Sequence, residues 1–389
     1  MLYWLIDFLK DRLPDESFRY VMVLEQIQFR AFVAGFLCFA IVLFCAKPVI
    51  RRLIALKIGD SAQFDVAALN DALKSKANTP TMGGVLIAGA IGVSILFTAD
   101  LSNSYIIQSL IVLVWLACVG GVDDWLKLTA ARRPGGSRQG LYSWEKLVFQ
   151  LGLGLIVGYF AFSAGGSGQE SSLANAVNLP FQKTYTSASS GPNPALWFLP
   201  VPLFVIWMTL VMSGLSNAVN ITDGMDGLAT GISAFVALGL MVLCFVAGYE
   251  NAARYLLVPY IPTTDELAIV SAAIAGACLG FLWWNASPAS VFMGDTGSLC
   301  LGGLIGYIAV VIRQEFVVFV MCGVFIMEIA SVVLQVGYFK ATKGKRIFRC
   351  APYHWHLHMG GWQEQKIVSR FYIITLVLVA VALASLKVR

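Results

Sequence analysis

With 389 residues, of which 58% are apolar and only 13% charged, the chain falls far from soluble globular domains, where about a quarter of residues are charged. Its net charge of +5 gathers in alternate loops, which reflects membrane topology and argues against nucleic-acid binding. The eight cysteines form no Cys-x-x-Cys pair and lie mostly inside apolar segments (Cys38, Cys45, Cys118, Cys244, Cys278, Cys300, Cys322), so neither a disulfide framework nor a thiolate zinc site is expected.

In chain order, the opening Met1-Leu2-Tyr3-Trp4-Leu5-Ile6-Asp7 lacks the basic start and small-residue cleavage site of a signal peptide. Residues 1–26 read as an amphipathic or loosely ordered lead-in. Ten apolar segments follow, at about 31–50, 82–99, 105–122, 147–163, 197–214, 228–248, 267–284, 298–312, 317–338 and 371–386. Each approaches the ~20 residues that carry a helix across a hydrocarbon core ~30 Å thick, the eighth being short. Backbone groups in lipid must pair internally, so helices are the expected spanning form. The expected fold class is an all-α polytopic membrane protein of about ten transmembrane helices, forming one membrane domain over 1–389.

Ten spans put both termini on one side. The loops after the first, third and ninth segments carry Arg51, Arg52, Lys57, Lys74 and Lys76, then Lys127, Arg132, Arg133, Arg138 and Lys146, then Lys340, Lys343, Lys345, Arg346, Arg349, Lys366 and Arg370. Opposite loops are poor in base: 164–196 holds only Lys183 and 249–266 only Arg254. The excess of Lys and Arg on cytoplasmic loops then places both termini outside, despite Lys10, Arg12 and Arg19 near the start. Residues 1–26 and the Ser/Gly-rich 163–196 become external, and 339–369 a cytoplasmic loop holding all three histidines.

Acidic clusters fall at segment ends on that same cytoplasmic side. Val119-Gly120-Gly121-Val122-Asp123-Asp124 ends the third segment. Adjacent carboxylates on a helix point about 100° apart, so one suits a ligand or base while the other orients it or holds a lysine. A solvated helix end with Lys127 close by is the plainer role. In Asn217-Ala218-Val219-Asn220-Ile221-Thr222-Asp223-Gly224-Met225-Asp226-Gly227, spacing of three sets Asn220, Asp223 and Asp226 on one helical arc. Oxygen-rich clusters of this kind suit a hard cation such as Mg²⁺, although a helix cap would need no more than part of it. Asn285 and Phe292-Met293-Gly294-Asp295-Thr296 form a third set. Asp295 either caps the eighth span or, beside free amide donors, helps to hold a metal–diphosphate complex.

The histidines occupy Ala351-Pro352-Tyr353-His354-Trp355-His356-Leu357-His358. In an extended segment all three share a side; in a helix His356 turns away. Phosphate binding suits them better than zinc, because no thiolate is near and the acids favour magnesium. Lys76 is a topology charge or a phosphate clamp. Glu328 lies within the ninth span, where an unpaired carboxylate is costly, so an interhelical hydrogen bond is expected of it.

Read together, Asn78–Gly84, Gly121–Asp124, Asn217–Leu228, Phe281–Ser298, Arg313–Phe316, Arg346–Trp362 and the tail Leu386-Lys387-Val388-Arg389 resemble the phospho-N-acetylmuramoyl-pentapeptide transferase family, within the polyprenyl-phosphate N-acetylhexosamine-1-phosphate transferase superfamily. The resemblance runs over nearly the whole chain from about residue 28. It implies an enzyme of the bacterial cytoplasmic (inner) membrane that is Mg²⁺-dependent. It also implies transfer of phospho-MurNAc-pentapeptide from its UDP carrier to undecaprenyl phosphate, giving lipid I and UMP in peptidoglycan synthesis. Partners implied are these two substrates and membrane lipid, with a second copy of the chain as a further candidate and no nucleic acid. By motif match, Asp295 would ligate the metal with Asp223 beside it, Asp123 would be the base, and Asp124 and Asp226 would support the acidic site. Lys76, Asn220, Asp223, Asn285, Phe292, His354 and His356 would hold nucleotide and diphosphate.

The chain departs from the family pattern in four features. Trp355 stands where a middle histidine is usual, and His358 where an acid is usual. Asn78 replaces a common glycine, and the loop 163–194 is longer. Single displacement and a covalent aspartyl-phosphate route are both compatible with these residues. Two rivals are a sibling transferase using UDP-GlcNAc and a cation transporter, although transporter sites lie near mid-membrane rather than at helix ends.

Overall fold

The computed structural model describes residues 3, 12, 22–55, 79–129, 140–166, 172–185 and 196–388. Lys57, Lys74, Lys76, Asn78, Arg132, Arg133 and Arg138 lie outside these. The described residues form helices: α1 Ile27–Ala55, α2 Gly84–Thr98, α3 Ser104–Thr129, α4 Ser143–Gly166, α5 Val201–Thr222, α6 Leu228–Gly248, α7 Glu250–Leu256, α8 Leu267–Asn285, α9 Gly294–Val311, α10 Glu315–Met321, α11 Gly323–Ala341, α12 Tyr353–His358 and α13 Glu364–Ser385. Among the described residues no strand forms, and an antiparallel bridge joins Ala176 and Phe198. The chain is a polytopic membrane protein.

Nine of these helices are long and apolar enough to cross a bilayer, and the shorter Gly84–Thr98 lies where the second span is expected. Two spans differ from the hydropathy pattern. The second is the short one: 15 residues in α2 reach only ~22 Å, because the chain before Gly84 is held by hydrogen bonds from the Phe292 N–H to the Pro80 carbonyl and from the Gly83 N–H to the Phe292 carbonyl, both 2.8 Å. The ninth is broken at Cys322 into α10 and α11. The eighth, expected to be marginal, is α9 and is the most enclosed of all.

Two helices form the centre. α8 packs along α1 and α6, and α9 along α3 and α5. In lipid the apolar side chains gain little from contacting each other, so association depends on close backbone approach and interhelical hydrogen bonds. Gly276 and Gly280 supply the first on α8: a β-carbon at Gly276 would lie 1.9 Å from the Gly35 carbonyl oxygen of α1. Gly302 of α9 approaches α5 in the same way, 2.4 Å from the Leu215 carbonyl oxygen. The Ser94 hydroxyl of α2 donates to the Ala34 carbonyl of α1 at 2.9 Å.

One end of this bundle carries two buried ion pairs. Arg30 of α1 holds Glu266, just ahead of α8, through both terminal guanidinium nitrogens. Arg313 meets Glu315 at 2.9 Å, and Trp207 Nε1 donates to the same carboxylate at 3.0 Å. Charges taken out of water are tolerable only when so paired. The acidic clusters gather at the opposite end.

Gly276→Val is expected to lower the thermal midpoint of the detergent-solubilised protein, through overpacking that costs about 1–3 kcal/mol. Gly89→Ala, where open space surrounds the position, leaves the midpoint unchanged or slightly raised. A differential scanning measurement on the two variants checks this.

Candidate active site

The C-terminal ends of α3, α5 and α8 meet the N-terminal ends of α2, α4, α6 and α9. There Asp123, Asp124 and Asp295 each offer a carboxylate oxygen within 4.8 Å of the others. Gly120 makes the approach feasible, since a β-carbon there would lie 2.3 Å from the Asp295 carbonyl oxygen. The three acids differ in what they do.

Asp124 serves α9. Its Oδ1 accepts from the Asp295 N–H at 3.1 Å, and its Oδ2 from the Thr296 N–H at 3.0 Å and the Thr296 hydroxyl at 2.7 Å. Those amides open α9, where first-turn N–H groups lack helical partners and the dipole favours negative charge. Met293 in the N-cap position provides no side-chain cap, so a carboxylate from α3 fills that role across the helices.

Asp295 is therefore not the cap of its own helix. Its Oδ1 accepts from Asn220 Nδ2 at 3.0 Å and faces Lys127 Nζ at 3.3 Å, while Oδ2 takes Lys146 Nζ. Asn220 also donates to the Ser298 hydroxyl at 2.9 Å. Asp123, fully buried, accepts the Leu141 N–H on Oδ1 at 2.6 Å and both lysines on Oδ2, Lys127 at 2.7 Å and Lys146 at 2.8 Å. The site thus interleaves carboxylates with two amines, one of which, Lys127, has a side chain 43% exposed.

Asp223 follows α5 at the margin of this group and outside the three-carboxylate set. Burial, then the nearby Asp295 and Asp124 carboxylates, push its pKa up to about 7, with the Gly294 N–H bond working the other way. Asp226 points elsewhere. Its N–H donates to Glu364 of α13 at 2.7 Å and its Oδ2 accepts the Ala289 N–H at 3.1 Å. Asn285 is likewise engaged within the fold: Oδ1 accepts from the Gly227 N–H and the Thr230 hydroxyl, and Nδ2 donates to the Val291 carbonyl. Phe292 is half-buried.

The histidines do not converge, because Tyr353–His358 is helical. His354 is fully buried against Glu328, which does make the expected interhelical bond, at 3.1 Å to Nδ1. His356 turns away, stacking on Tyr353 and accepting the Arg349 N–H on Nδ1 at 3.1 Å. His358 Nδ1 meets the Trp362 carbonyl at 3.0 Å. Lys76 lies outside the described residues.

Lys146 and Thr296 belong to the site and were not singled out for it from the sequence. Lys146 looks like any cytoplasmic charge, and only its position in the first turn of α4, one loop beyond Asp123, hints at more.

An all-oxygen set of three clustered carboxylates fits a hard divalent cation, and two amines beside it fit phosphate oxygens. The model of glycosyl transferase family 4 matches residues 105–313, the stretch that holds all three acids. A phospho-N-acetylmuramoyl-pentapeptide-transferase signature matches residues 76–87. A phospho-N-acetylmuramoyl-pentapeptide-transferase of Desulforapulum autotrophicum is 40% identical over 363 residues, covering 93% of this chain and 94% of the relative. These matches lend no support to a second copy of the chain as partner. Because the likeness extends over almost the full length of both proteins, the chain belongs to the phospho-N-acetylmuramoyl-pentapeptide-transferase family.

Proposed function

We propose that the protein transfers phospho-MurNAc-pentapeptide from UDP to undecaprenyl phosphate, releasing UMP and forming lipid I. The observation that carries this reading is the meeting of Asp123, Asp124 and Asp295 with Lys127, Lys146 and Asn220 at one end of a membrane bundle. The excess of base in loops at that end supports a cytoplasmic site, external termini and residence in the bacterial inner membrane. The peptidoglycan signature at 76–87 favours the MurNAc substrate over a UDP-GlcNAc sibling.

Asp295, with Asp223 at the margin of the group, would hold Mg²⁺, while Asp124 stays on the opening amides of α9 and Asp123 is left to act as the base. When bound, the ion offsets the charge of a diphosphate and of its leaving phosphate. In the proposed step a phosphate oxygen of the lipid forms a bond to the β-phosphorus, and the bond from that phosphorus to the UMP oxygen breaks. Lys127 and Lys146 turn from the carboxylates to the diphosphate oxygens, which frees Asp123 Oδ2 to take the proton of the lipid phosphate. Asn220 keeps Asp295 aimed throughout. Phe292 offers a ring to the uracil, its main chain fixed by Pro80 and Gly83. Asp226 and Asn285 brace the turn after α5 from behind. The enclosure of Asp123 favours single displacement over its use as a nucleophile. An apolar groove of about 690 Å³ between α3 and α4, lined by Val114, Trp115, Val122, Leu141 and Phe149 among others, ends beside Asp123 at Leu141 and suits a long hydrocarbon chain.

Purified protein with undecaprenyl phosphate and Mg²⁺ is expected to release UMP from UDP-MurNAc-pentapeptide and not from UDP-GlcNAc. Turnover of the second alone would reject the reading. Asp295→Asn should lower the rate about 100-fold or more, measured as UMP release, without unfolding the protein. A chelator should stop turnover and added Mg²⁺ restore it; undiminished UMP release in excess chelator would remove the ion from the scheme.

A further inference from the structure

His354 is expected by resemblance to touch the substrate, yet its surroundings assign it another task. Its ring is wholly enclosed. Glu328 of α11 accepts the His354 main-chain N–H on both oxygens, at 3.1 and 3.3 Å, and faces ring Nδ1 at 3.1 Å. With that carboxylate accepting the main-chain N–H, an Nδ1–H donating to it completes the pair. The other nitrogen, Nε2, makes no hydrogen bond among the described residues. It presses on the turn after α5: a β-carbon at Gly224 would lie 2.5 Å from Nε2 and 3.2 Å from Trp355 Nε1. Gly224 adjoins Asp223, and Asn220, whose carbonyl accepts the Asp223 N–H at 3.2 Å, holds Asp295.

We propose that Glu328 and His354 are a positioning pair, a strut from α11 through α12 that seats the Asp223–Gly224 turn against the acidic site. Glu328 acts on the reaction solely through the imidazole, and His354 acts through the turn without contacting substrate. The proposal rests on the transferase reading above. It explains why a carboxylate is kept inside a spanning helix, where it is costly unless partnered. It also explains why position 224 carries no side chain.

The test is a set of variants assayed for UMP release, with the wild type establishing the activity itself. Glu328→Ala and His354→Ala should each cost about 10- to 100-fold in kcat/KM, the range typical of residues that orient a catalytic group. The double variant should lose no more than the worse single one, since the two act as a unit. In Glu328→Gln the amide oxygen, placed where Oε2 stands, can accept both the main-chain N–H and the Nδ1–H of His354, so this variant should stay within about threefold of wild type. Gly224→Ala should be damaging in the wild type and nearly neutral in His354→Ala, where nothing remains for the new methyl to strike.

Additive losses, or a Gly224→Ala penalty unchanged by removing the imidazole, would overturn the proposal. So would Glu328→Gln failing as badly as Glu328→Ala. If Glu328→Ala does not fold, the Gly224 and His354 variants decide alone. A wild type inactive on UDP-MurNAc-pentapeptide rejects the transferase reading instead, and thermal midpoints of the Gly224 and His354 pair then still report whether the contact exists.

Discussion

The site depends on one borrowed cap. The opening of α9 exposes amide donors that its own chain leaves unsatisfied, and Asp124 on α3 fills them with both carboxylate oxygens. Had Asp295 capped its own helix, its oxygens would face inward along the backbone. With the amides already engaged, Asp295 turns toward Asn220 and the two lysines. One acid of the adjacent pair thus organises a helix end, and its neighbour Asp123 joins the charged centre. The 100° between successive helical side chains is what lets a two-residue motif do both.

Everything around this cap keeps three helix ends at backbone distance. Gly120 brings α3 onto the start of α9, and Gly302 brings α5 onto its middle. Farther back, α8 is held to α1 through Gly276, and the bundle is closed at its far end by Arg30 with Glu266 and Arg313 with Glu315. The two ends differ in kind. At the far end these two pairs are matched within the protein and buried, whereas at the near end the side chain of Lys127 is 43% exposed.

Much of this could be read from residue order. Hydropathy locates the nine long apolar helices and the shorter α2 because lipid demands long apolar runs. The acids stand out because charge at helix ends in so apolar a chain is conspicuous. What could not be read is mostly direction. The run 317–338 is apolar as far as Glu328, and only Gly323 marks the break at Cys322. Asn285 and Asp226 look as polar as Asn220, yet they fasten the turn after α5 to α6, α8 and α13. The histidines look like a cluster, and the helical turn of α12 separates them. Lys146 carries the same charge as every other base on its side, so its place between Asp123 and Asp295 is invisible without coordinates.

Backbone-to-backbone packing has an effect beyond holding the bundle together. Where glycine meets carbonyl there is no rotamer to change and no void to absorb a shift, so the ends of α3, α5 and α9 cannot drift independently. The carboxylates are consequently preorganised, and little reorganisation of the scaffold accompanies a reaction there. In the proposed reaction, accommodation of an incoming polyanion would fall instead to two long, flexible amine stems, exchanging one set of oxygens for another while the frame around them stays still.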